Sequence, residues 1–170
     1  MVQNKQTIKQ YIYFIFLIIA GIVVDQFTKY LAVTHLKNQN PFVIIEGVFQ
    51  LRYLENRGAA FGMMQNQQLF FVISAVIIVL VLFYWYGKLP FTKRFIPIRF
   101  CVILLCAGAI GNMIDRMLHE YVVDFFYFQL IDFPIFNVAD IFVVVSCFLF
   151  VFFIFFYYKE DEFDIILLKK

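Results

Sequence analysis

The stretch "DFPIFNVADIFVVV", residues 132–145, opens an apolar run that reaches Tyr158. Asn137 and Asp140 stand at its mouth, where a carboxylate is expensive. A helix needs roughly 20 apolar residues to cross a bilayer core about 30 Å thick, and this run comes close to that length. The rest of the chain agrees with it. Of 170 residues, 64% are hydrophobic and 21% aromatic, and the mean hydropathy is +0.85. That apolar share lies well above that of a soluble domain. The composition predicts an α-helical integral membrane protein folded as a single domain over residues 1–170, with spans at about 11–33, 69–86, 95–114 and 141–158.

Four spans put both termini on one side, and the basic residues decide which. Lys5 and Lys9, then Lys88, Lys93 and Arg94, then Lys159, Lys169 and Lys170 share one face, against Lys37, Arg52, Arg57 and Arg116 on the other. Both termini are expected in the cytoplasm, with the longer segments 34–68 and 115–140 outside it. Lys5 and Lys9 ahead of an apolar run imitate a secretory signal, but "GIVVDQFTKY" follows in place of a small-residue cleavage site, so the run is expected to stay as the first span. A net charge of +2 without a basic block argues against a nucleic-acid partner. Cys101, Cys106 and Cys147 are odd in number, lack CxxC spacing and are expected to be buried thiols acting as small hydrophobes.

The two outer segments predict a small β-structure. In "FVIIEGVFQLRYLEN" the pair Glu46-Gly47 sits between two apolar stretches, and Phe49, Leu51 and Tyr53 alternate with Gln50 and Arg52, which predicts a hairpin at the membrane surface. In "YVVDFFYFQL" the β-branched and aromatic content predicts a strand with Val122, Asp124 and Phe126 on one face. Leu130 to Pro134 carries no clear signal.

The polar residues in this apolar company need reasons. Asp25 and Lys29, at i and i+4 with the acid first, fit an intrahelical ion pair tethering the end of span one. In "AGAIGNMIDR", Gly108, Asn112 and Arg116 share a helix face, and Ala107 with Gly111 forms a small-xxx-small surface. Helix packing and a donor-rich wall for a peptide both fit this pattern. "ENRGAAFG" puts Asn56 beside Gly58, Ala59, Ala60 and Gly62, either a flexible turn or a place where a substrate approaches the backbone. His35 and His119 read as interfacial polar groups. Asp140 is well placed to cap span four.

Asp124 and Asp140 together suggest chemistry. Two carboxyl groups close together in a partly desolvated site do not both ionise easily, so one keeps a proton while the other is a base. Such a pair can activate water for peptide hydrolysis. Other hydrolytic designs fit less well. Ser74 and Ser146 lie in apolar spans without a GxSxG setting, the histidines form no HExxH motif, and the cysteines lack an evident histidine partner. A non-enzymatic four-span transporter or assembly protein is the rival, and it would need charges along a path through spans that are nearly uncharged.

With these motifs assembled, the chain resembles the lipoprotein signal peptidase (signal peptidase II) family of bacterial membrane aspartic peptidases. The resemblance is colinear over "DQFTK" at 25–29, "NRGAAFG" at 56–62, "AGAIGNMIDR" at 107–116, "VVDF" at 122–125 and "FNVAD" at 136–140. It implies four transmembrane helices with a small extracytoplasmic β-sheet, and Asp124 and Asp140 as the catalytic pair. It further implies Asn56, Gly58, Gly108, Asn112, Arg116 and Asn137 lining or supporting the site, with Asp25, Lys29 and Asp115 as polar supports. The implied substrate is a diacylglyceryl-modified prolipoprotein, met in membrane lipid and cut just before its lipidated cysteine. Neither a metal nor an organic cofactor is implied. The implied location is the bacterial cytoplasmic (inner) membrane. One departure stands out: Ile141 follows "FNVAD" where the family commonly has a small residue, and a modest change of packing is expected there.

Overall fold

The computed structural model describes residues 2–58 and 64–167, with side chains from residue 8 onward. The order of elements is α1 (Val2–Leu36), β1 (Phe42–Ile45), β2 (Phe49–Asn56), α2 (Gln68–Lys88), α3 (Ile96–His119), β3 (Val122–Phe128), α4 (Val138–Phe156) and α5 (Glu160–Ile166). Among the described residues four helices are long and apolar enough to cross a membrane: Ile8–Leu36, Gln68–Lys88, Lys93–His119 and Val138–Phe156. The protein is therefore an α-helical integral membrane protein with four spanning helices and a small antiparallel sheet.

Helix α3 is the axis of the bundle, touching α1, α2 and α4. Small residues make this close approach possible. A Cβ on Gly108 would lie 2.5 Å from the Ala139 carbonyl oxygen, and one on Gly111 2.6 Å from Asp25 Oδ2. Helix α3 runs to His119, past residue 114 where the span was expected to end, and carries Arg116 on the helix face expected for it with Gly108 and Asn112. Asp115 and Arg116 both find partners inside the bundle, and polarity there marks a site in place of a helix end.

Helix α4 likewise begins earlier than the apolar run implied, at Val138. Its N-cap is Asn137, whose side chain accepts from the Asp140 backbone N–H at 2.9 Å, while Asp140 Oδ2 accepts from the Asn137 backbone N–H at 3.1 Å. This reciprocal capping box corrects the expectation that Asp140 is the cap: Asp140 is the third helical residue and Asn137 the cap.

The sheet has the order β1-β2-β3 with both pairings antiparallel. Gly47, at φ 70°, makes the expected hairpin turn, closed by a Val48 N–H to Ile45 carbonyl bond of 3.0 Å. One face of the sheet, with Leu51, Tyr53, Val123 and Phe125, covers Ala32 and Leu36 of α1. The period of two then turns Arg52, Leu54, Asn56 and Asp124 the other way. Residues Gln129–Ile131 form one 3-10 turn, and Asp132 follows in the left-handed region at φ 48°.

At the opposite end of the bundle, α5 is tied down by Glu162, which accepts from Arg94 Nε at 2.8 Å and Nη2 at 2.7 Å, and by a 2.7 Å bond from Trp85 Nε1 to the Ile166 carbonyl. Arg94 in return holds the Glu162 carboxyl down at about 2. Arg99 is buried there, donating to the Leu89 and Pro90 carbonyls with its guanidinium 3.7 Å from the Phe91 ring centre. Cys101 and Cys106 are buried as expected, but Cys147 is exposed on α4. A lipid-facing position is as apolar as a core one, and composition does not separate them.

Candidate functional site

Five elements meet in one polar layer beside the sheet. Asp25 and Lys29 come from α1, Asn112, Asp115 and Arg116 from α3, Asn56 from β2, Asp124 from β3, and Asn137 and Asp140 from the start of α4. Among the described residues, the buried charges Asp25, Lys29, Asp115 and Asp124 all belong to this layer, and Arg99 is the single one away from it. This clustering at one end of the spans is unlike a transport path through them.

The layer is built from the inside outward. Lys29 Nζ lies 2.8 Å from Asp25 Oδ2, 3.0 Å from Asp115 Oδ2 and 2.9 Å from Asn112 Oδ1, one acceptor for each of its three protons. Asp25 Oδ1 accepts from the Ala139 backbone N–H at 2.8 Å and so satisfies a free donor of the α4 N-terminus from another helix. Asp115 Oδ2 accepts from the Val123 N–H at 3.1 Å, which docks β3 on α3. Gln26 completes the set, donating to Asp115 Oδ1 at 2.8 Å and to the Gly111 carbonyl at 3.2 Å. The sequence reading passed over Gln26, although its place beside Asp25 in "DQFTK" is the signal that could have found it.

Asp124 and Asp140 stand above this foundation, and Asn137 bonds both. Its side-chain Nδ2 donates to Asp124 Oδ1 at 2.7 Å, and its backbone N–H donates to Asp140 Oδ2. Asn56 Nδ2 donates to Asp124 Oδ2 at 2.8 Å, and Asn112 Nδ2 to Asp140 Oδ1 at 2.8 Å. Each carboxyl group thus receives two N–H donors, and both line one cavity of about 870 Å³. Asp124 is almost wholly buried, at 1% exposure, whereas Asp140 is partly open. Burial first, and the charge of Asp140 second, push the Asp124 carboxyl up to about 7, against the pull of Asn56 and Asn137.

The remaining expected residues divide by position. Arg116 lines the cavity, donating to the Gly58 carbonyl at 3.2 Å and lying 4.6 Å over the Phe71 ring. Its Nε is buried and finds no partner among the described residues. Gly58 lines the cavity too, and its N–H bonds Asn56 Oδ1 at 3.0 Å. Gly108 instead sits against Ala139 and Val143, at the α3/α4 contact. Ala59, Ala60 and Gly62 of "ENRGAAFG" lie outside the described residues. Ile141 is 37% exposed and lines the cavity. Arg52, Tyr127 and Asp132 also line the cavity, and the sequence reading gave them no role.

Four spanning helices, a sheet against their ends and two carboxyl groups facing one cavity describe a membrane protein with a polar site at one end of its bundle. A family model described as signal peptidase (SPase) II matches residues 17–156, and the chain belongs to that family of aspartic peptidases. It is 47% identical over 131 residues to a lipoprotein signal peptidase of Caldanaerobacter subterraneus subsp. tengcongensis, covering 76% of this chain and 87% of that protein. It is 40% identical over 154 residues to a lipoprotein signal peptidase of Clostridium tetani, covering 88% and 95%. Two solved structures described as bacterial membrane enzymes superpose with TM-scores of 0.73 and 0.72, each at 32% identity, over 84% and 86% of this chain and 87% and 94% of theirs.

Proposed function

We propose that this protein removes the signal peptide from diacylglyceryl-modified prolipoproteins, cutting just before the lipidated cysteine with water activated between Asp124 and Asp140. Family membership supports the substrate class. The observation that carries the mechanism is Asn137 bonding both carboxyl groups at once beside an 870 Å³ cavity.

In this reading the pair shares one proton near neutral pH, and burial together with the neighbouring Asp140 charge favours keeping it on Asp124. Asp140 takes a proton from water as the water oxygen attacks the scissile carbonyl carbon, and Asp124 donates its proton to the carbonyl oxygen. The tetrahedral intermediate then breaks its C–N bond. Asp140 returns its proton to the leaving amine, Asp124 recovers one from the hydroxyl, and the pair is restored. Asn56, Asn112 and Asn137 hold the two carboxyl groups at fixed orientation throughout. Arg116 lines the same cavity, and its guanidinium is suited to a peptide carbonyl. Ile141, Val144 and Val145 supply an apolar wall for acyl chains and the signal segment, both entering from the lipid.

In this reading both termini are cytoplasmic and the sheet lies on the outer side of the bacterial inner membrane. Lys88, Lys93, Arg94 and Lys159, at the end away from the sheet, support that orientation. The direct test is to incubate purified protein with diacylglyceryl-modified prolipoprotein and follow the products by mass spectrometry. Wild type should release the signal peptide before the lipidated cysteine, and Asp124→Asn and Asp140→Asn should each lose about 10²–10⁴-fold in rate while still binding substrate. Full activity in a folded Asn variant would refute the pair.

A further inference from the structure

We propose that Arg52, Tyr127 and Asp132 form an outer subsite that binds the polypeptide on the carboxyl side of the scissile bond and favours an acidic residue there. The inference rests on the peptidase reading and adds a specificity to it.

The cavity wall extends from the Asp124/Asp140 pair in two parts, the second of which mixes polar residues with Leu54, Phe133, Pro134, Ile135 and Phe136. The first follows α4, where Ile141, Val144 and Val145 are apolar and belong to a spanning helix. The second crosses the sheet, outside the spanning helices, toward Arg52, Tyr127 and Asp132. A substrate cut at the pair has an apolar segment, which partitions to the lipid side, and a remainder that continues into water. The remainder must leave over the sheet.

The chemistry of that exit is specific. Tyr127 Oη donates to Asp132 Oδ1 at 2.6 Å, which occupies one carboxylate oxygen and fixes the ring. The Arg52 guanidinium lies 5.9 Å from the centre of that ring. Among the described residues no carboxylate comes within ion-pair distance of Arg52, whereas Arg57, the next basic residue on β2's side of the cavity, is engaged by Glu55 at 3.7 Å. Arg52 is thus a cavity-wall cation with no direct ion pair among the described residues, set against the Tyr127 ring whose hydroxyl bonds Asp132. A carboxylate on the substrate would complete it. The second oxygen of Asp132 is left to accept a backbone N–H.

The strand fixes the distance. Asn56, which bonds Asp124, and Arg52 lie four residues apart along β2, at most about 13 Å at the rise of a strand, since the register shifts between Leu51 and Leu54. An extended substrate covers that in about four residues, and the length of the Arg52 side chain shortens the reach. The favoured acidic residue is therefore the second, third or fourth of the released polypeptide.

The test uses the full chain in detergent and lipidated substrates differing only in Asp or Lys at each of those three positions. Wild type should cleave the Asp form about fivefold faster in kcat/KM at one of them, an advantage that shrinks as salt is raised. Arg52→Glu should reverse the order and Arg52→Lys should keep it. A merely structural role for Arg52 would instead lower both substrates equally. Normal cleavage by wild type with no dependence on charge at any position, or a preference unchanged in Arg52→Glu, would overturn the subsite. No cleavage of any substrate by folded wild type would overturn the peptidase reading and the subsite with it.

Discussion

Lys29 Nζ lies 2.9 Å from Asn112 Oδ1, and this contact decides which end of the Asn112 amide faces Asp140. An ammonium only donates, so it holds the amide oxygen and leaves the NH₂ group to Asp140 at 2.8 Å. A lysine that reads locally as half of a tether for α1 therefore orients the amide that bonds Asp140.

Lys29→Met should be severely destabilising. It leaves Asp25 and Asp115, both buried, without their cation, and breaking such a buried arrangement costs about 3–5 kcal/mol. Adding Asp115→Asn should recover part of the loss by removing one stranded charge. Thermal unfolding in detergent would measure both. A Lys29→Met protein melting with wild type would remove the argument.

Gly108→Ala should lower stability and activity together. Alanine is the better helix former by about 1 kcal/mol, but the new methyl would lie 2.5 Å from the Ala139 carbonyl oxygen and 2.8 Å from Val143 Cγ2. Helix α4 would have to move, at about 1–3 kcal/mol for overpacking, and Asp140 rides on its first turn. A displacement of about 1 Å is enough to reduce turnover about 100-fold. Unfolding and cleavage assays on one preparation would test this; unchanged turnover would show that α4 moves without carrying Asp140 out of place.

The fold and the site differ in how far they could be read from the chain. The hairpin at Gly47 and the strand through Asp124 were legible because turn chemistry and period-two alternation are local. So was the Asp25/Lys29 pair, one helical turn apart. The third partner, Asp115, lies on another span, and no local pattern announces it. Helix boundaries failed for a related reason. A spanning helix apolar on every side has no periodicity to mark its start, so α4 was read from Ile141 while the residues that begin it, Asn137 to Asp140, are polar through capping. The short helix α5 has acidic residues in its first turn, but it depends on Arg94 and Trp85, far away in the chain.

Asp124 gives the protein a pH dependence with a definite sign. Its carboxyl rises from an ordinary 3.8 to about 7 in the folded chain. Between those values the native state keeps a proton that the unfolded state has lost, so stability falls as pH rises from about 4 to about 7 and then levels off. Asp124→Asn has no proton to lose, and its stability should be flat over that range. The variant should therefore match wild type near pH 4 and melt higher near pH 8, the behaviour of a site that trades stability for function. Cleavage by wild type should fade above about pH 7, as the donor to the carbonyl oxygen is deprotonated. Because the charge of Asp140 contributes to the upward shift, Asp140→Asn should move the fall in stability to lower pH. Melting curves of the three proteins in detergent from pH 4 to 8.5 would check all of this. Parallel curves for wild type and Asp124→Asn would mean that Asp124 stays ionised in the folded protein and is not the proton donor.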